Sequence, residues 1–95
     1  MTPEELIRRG EAAQRLLSEP LLKEAFETIR QEVVKTWAET PARDAEGREW
    51  VWRHYKVIER AEALLRGYIE TGRFESAKLI QKEKPVDKIA NLFRR

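Results

Sequence analysis

Leu22, Phe26, Ile29, Val33 and Trp37 follow one another at steps of four, three, four and four, which lays them along one stripe of an α-helix. Leu21, Ala25 and Val34 widen that stripe, so the helix is broad-faced and built to meet more than one neighbour. Ser18-Glu19-Pro20 offers a serine N-cap followed by proline, and Thr40-Pro41 closes the run, because the residue before proline is pushed out of helical geometry. The spacing predicts a helix over about 20–39. Ahead of it, Thr2-Pro3-Glu4-Glu5 is a capping-box start with proline at the first helical position. Leu6, Ile7, Ala13, Leu16 and Leu17 continue it to near Ser18, with Gly10 a weak point in the middle.

A third helix opens with Asp44 as its N-cap, Thr40-Pro41 being the competing start. Val51, Tyr55, Ile58, Glu62, Leu65 and Ile69 track one face of it, flanked by Trp50, Val57, Ala61, Leu64 and Tyr68. Thr71-Gly72 supplies a left-handed C-cap, so the expected span is 44–71, about 42 Å against about 28 Å for the second helix at 1.5 Å per residue. A connection this short joins antiparallel neighbours. The expected fold is all-α: an antiparallel helical hairpin of about 20–39 and 44–71, with an N-terminal helix packed across it. The longer partner carries more apolar stripe than the shorter one covers. Trp50, Trp52, Leu65 and Ile69 are therefore the candidate self-association residues.

Beyond Gly72 the pattern changes, and the chain divides into a helical domain over 1–72 and a basic connector with a C-terminal segment over 73–95. From Pro85 onward, Val86, Ile89, Ala90 and Phe93 fall at helical spacing beside Leu92, and Arg94 and Arg95 finish the chain. Eleven residues are too few for a stable helix alone in water, so this segment must dock to be ordered. It either folds back as a fourth helix or binds another molecule, with Val86, Ile89, Leu92, Phe93, Arg94 and Arg95 as the partner-binding set.

Charge sharpens this division. Residues 1–72 hold 12 Lys and Arg against 14 Asp and Glu, a net of −2, whereas residues 73–95 hold 7 against 3, a net of +4. A charge-mixed body lacks the single-sign field that general nucleic-acid binding needs. The aromatic and basic cluster around Trp50, Trp52, His54 and Tyr55 is the local exception, with Arg48, Arg53 and Lys56 as candidate nucleic-acid contacts. On a helix Trp50 and Trp52 point about 200° apart, so one tryptophan is expected in the core and the other in an interface.

Other chemistry is excluded more simply. With no cysteine and one histidine, His54, the chain has no thiolate or histidine-cluster metal site. It has no glycine-rich phosphate loop and no nucleophile elbow, and its carboxylates sit among basic neighbours at helical spacing. The expectation is a non-enzymatic protein with no cofactor, no metal and no small-molecule substrate. No apolar run approaches the ~20 residues needed to cross a bilayer, and the first residues are acidic where a secretory signal is basic, so a soluble intracellular chain without a membrane partner is expected.

Glu24-Ala25-Phe26, Trp37, Thr40-Pro41-Ala42-Arg43-Asp44, Arg48-Glu49 and Gly72-Arg73 together resemble a group of small bacteriophage proteins that carry Glu-Ala-Phe, a tryptophan, Thr-Pro-x-Arg-Asp and Arg-Glu at similar spacing. The resemblance covers about residues 20–73. It implies a phage context, among virion structural and DNA-packaging proteins, in the bacterial host cytoplasm or the virion. It brings no catalytic residues. The corner also has a physical reading, in which Asp44 caps the third helix while Arg43 reaches the last carbonyls of the second. The first functional expectation is a virion assembly or structural protein that forms homo-oligomers and docks on a larger phage protein. The alternatives are a DNA-binding packaging accessory of the small-terminase kind and a host-directed inhibitor. The small-terminase reading lacks a short three-helix unit with a basic recognition helix.

Overall fold

The computed structural model describes the backbone of residues 1–93 and the side chains of residues 1–82. Three helices make up the fold: α1 (Pro3–Ser18), α2 (Pro20–Glu39) and α3 (Ala45–Phe93), with no strand among the described residues. All-α architecture follows directly from the three- and four-residue apolar spacing.

Local cap chemistry sets most of the boundaries. The Thr2 hydroxyl accepts a hydrogen bond from the Glu5 amide at 3.1 Å, with Pro3 at the first helical position. Asp44 Oδ1 likewise accepts the Gly47 amide at 2.9 Å, so the corner is capped by the aspartate as its position suggests. Two expected caps are replaced. Glu19, not Ser18, stands at the N-cap of α2 and makes no side-chain cap, because the Pro20 ring already sets the first helical turn. At the end of α2, Thr40 donates through its hydroxyl to the Thr36 carbonyl at 2.6 Å and through its amide to Trp37, while Arg43 makes no such bond.

The largest departure is at Gly72. It does not end α3, since no glycine takes a positive φ, and the helix continues to Phe93, about 74 Å at 1.5 Å per residue. The glycine serves a different purpose there. A Cβ at Gly10 would stand 2.7 Å from the Tyr68 carbonyl oxygen and 3.1 Å from Gly72 Cα, and one at Gly72 would stand 3.2 Å from Gly10 Cα. The two glycines let the backbones of α1 and α3 meet without side chains between them, and both are buried.

Both short helices run antiparallel to α3, at successive stations. Residues 6–10 of α1 meet 72–68 of α3, and Arg9 lies 4.0 Å over the Tyr68 ring. Arg30 and Trp37 of α2 meet Glu62 and Arg48. Helix α1 packs mainly on α3, beyond the stretch paired with α2, rather than across the hairpin. The result is an elongated molecule of 78 × 25 × 21 Å. Its core is thin: Ala13 and Val51 are the buried hydrophobic side chains, and no large side chain is fully buried among the described residues. No helix of the described residues is long and apolar enough to cross a membrane.

Candidate functional site

Where α2 meets α3, Val33 faces Val51 along a narrow seam, and an apolar groove opens on each side of it. The first groove, of about 440 Å³, is formed by Ile29 and Val33 of α2 and by Trp50, His54, Val57 and Ile58 of α3, with Glu32 and Arg53 at its rim. The second, of about 240 Å³, is lined by Val34, Trp37, Trp52 and Tyr55 together with the seam residues. This geometry follows from helical periodicity: Val51 points at α2, so its neighbours Trp50 and Trp52 are thrown to opposite flanks.

The expectation of one core tryptophan is therefore corrected. Trp50 is 57% exposed and Trp52 55%, because Val51 takes the inward position and α2 is too narrow to cover either neighbour. Leu65 and Ile69, further along α3, are half-buried, and Ile69 lies near α1, beside Gly10 and Gln14. Of the four predicted self-association residues, the structure sets Trp50 and Trp52 on the two open flanks of the α2–α3 seam and places Leu65 and Ile69 away from them. Val57 is exposed on the Trp50 flank, and Val34 and Trp37 on the Trp52 flank. Sequence reasoning had placed Trp37 on the inward stripe of α2. Its i, i+4 spacing from Val33 was the signal that it shares a face with the groove.

The polar groups around the grooves are engaged within the chain. Arg48 lies 3.9 Å over the Trp37 ring, Arg53 pairs with Glu49 at 2.8 Å, and Lys56 reaches Glu59 at 3.4 Å while facing the Trp52 ring. His54 stacks on Trp50 with ring centroids 3.8 Å apart and sets Nδ1 2.9 Å from the Trp50 carbonyl oxygen. Glu59, one turn along α3 from Tyr55, raises the phenol above its ordinary value, and the phenol in turn lowers the carboxylate. Beyond the grooves, Glu62 is the buried charged side chain among the described residues, 6% exposed. Its two oxygens are taken by Arg30 from α2 and by Arg66 one turn along α3, the latter at 3.5 Å. The Arg30 pair spans 32 residues of sequence, and local spacing gave no sign of it.

No group of three or more His, Cys, Asp or Glu side chains among the described residues could hold a metal ion. The predicted partner-binding residues Val86, Ile89, Leu92, Phe93, Arg94 and Arg95 lie outside the residues whose side chains are described. Comparison with models of protein families, with curated proteins and with solved structures found no match.

Proposed function

We propose that this chain is a non-enzymatic assembly protein that associates with further copies of itself through the α2–α3 face and docks on a larger component of a phage particle. The observation that carries the reading is the state of the lone chain. Among the described residues no large side chain is fully buried, and the three tryptophans are left open on the two flanks of the α2–α3 seam, between 43% and 57% exposed. Exposed large apolar side chains gathered in grooves mark a protein–protein contact, and tryptophan is among the residues most enriched where such contacts carry their energy.

The phage context comes from the resemblance over residues 20–73, and docking through the C-terminal segment comes from its amphipathic pattern. Against a packaging accessory that holds DNA, the three cations such binding would use are each occupied by a neighbouring side chain. Against catalysis, the one carboxylate buried among the described residues is bracketed by two arginines.

Light scattering over a wide concentration range tests the self-association. A mass that is a multiple of the chain, and that falls on dilution, is expected. A strict monomer at the highest attainable concentration contradicts the proposal. A mobility titration at two salt concentrations tests the DNA alternative, since phosphate contacts require affinity to fall steeply with salt.

A further inference from the structure

The self-association read above does not say how many neighbours each copy has, and the placement of the two grooves bears on that number. Trp50 and Trp52 leave α3 about 200° apart, so the α2–α3 seam stands between the surfaces they dominate. A single partner lying on one flank leaves the other tryptophan in water.

The flanks also differ in shape. The Trp50 side is the larger hollow, at about 440 Å³. The Trp52 side presents three aromatic rings, Trp37, Trp52 and Tyr55, around a smaller hollow of about 240 Å³. The Trp50 side carries rings of its own, Trp50 and His54, so the flanks are unlike in size and in lining, and unlike surfaces suit a head-to-tail contact. The rims carry both signs, with Glu32 and Arg53 on one flank and Lys56 and Glu59 near the other, and the whole chain is only +2. Copies of the same chain can therefore approach without a large electrostatic penalty.

Resting on the self-association reading, we infer that each copy seats its Trp52 flank in the Trp50 groove of the next, head to tail. Contacts between unlike surfaces close into a ring or extend as a filament, so the assembly holds at least three copies.

Native mass spectrometry of the full chain and two variants, Trp50→Glu and Trp52→Glu, tests this. Wild type should show three or more copies, and each variant alone should fall to monomer while keeping its helical circular-dichroism signal. An equal mixture of the two variants should recover a one-to-one heterodimer, because each contributes the flank the other has lost. Should either glutamate reduce helicity, Trp50→Gln and Trp52→Gln give the same readout. A wild type that stops at dimer overturns the inference and leaves self-association standing. Variants that each remain dimers and do not combine show like-with-like contacts and overturn it too. A wild-type monomer overturns both.

Discussion

The two ends of the helical pairing are built on opposite principles. At the α1–α3 crossing, small residues close the contact: Gly10 meets Gly72 backbone to backbone, Ala13 is buried, and Arg9 lies over Tyr68. At the α2–α3 hairpin the residues are large, with only the Val33–Val51 seam inside and three tryptophans half outside. Small residues permit close approach and complete a contact within the chain. Large residues on both sides of a two-helix seam cannot all turn inward, because two helices have one mutual face and α1 is spent elsewhere on α3. The first region is finished in the single chain, and the second is left open in it.

The largest effect is expected where the finished region is broken. Gly10→Leu drives a side chain into the Tyr68 carbonyl and Gly72 Cα, and should cost about 2–3 kcal/mol of stability in a urea titration. Gly67 has nothing within 4 Å of its would-be Cβ, so Gly67→Ala should stabilise the chain by up to about 1 kcal/mol through helix propensity. If both glycines respond alike, close approach is not what Gly10 provides.

A middle effect is expected from the buried charge linking α2 to α3. Arg30→Met leaves Glu62 with Arg66 alone, and should cost about 1–2 kcal/mol, since an underpaired buried carboxylate keeps its desolvation penalty. Adding Glu62→Leu should recover most of that loss. A double variant as unstable as the single one would show that packing by the Arg30 stem, not charge, holds the pair.

The smallest effect concerns pH. The Glu59 carboxyl is lowered first by the Tyr55 hydroxyl, against an opposing desolvation, and then by Lys56. Its contribution to stability is present above the ordinary carboxylate range and is lost as pH falls through the lowered value. The Tyr55 phenol is raised above 10.0, chiefly by Glu59, so its contribution is present below 10.0 and lost as pH rises through the raised value. Both groups lie at the surface, so Tyr55→Phe should flatten these two slopes only slightly in thermal melts across pH. An unchanged profile would mean that the Tyr55–Glu59 interaction adds nothing to stability.

What could be read in the sequence was local. The stripe Leu22–Phe26–Ile29–Val33–Trp37, the Thr2 cap and the Asp44 cap each depend on residues within one or two turns, and the helices begin or end beside them. Gly72 was misread because glycine does two unrelated things: it accepts a left-handed C-cap, and it lets two backbones touch. The nearby sequence favours the first, and only the register of α1 on α3 reveals the second. The same holds for Arg30 and Glu62, whose meeting depends on how far α2 slides along α3. Trp50 and Trp52 were rightly placed on opposite sides of a helix. Which of them faces inward had no answer, because the inward residue is Val51.

All three tryptophans line the two grooves that flank the α2–α3 seam, so indole fluorescence reports on those grooves alone. Iodide quenching as a function of protein concentration tests the central claim most directly. Quenching should be weak in concentrated protein, with blue-shifted emission, and should rise on dilution towards that of half-exposed indoles. Quenching fixed at the half-exposed level at every concentration would show that nothing covers the face.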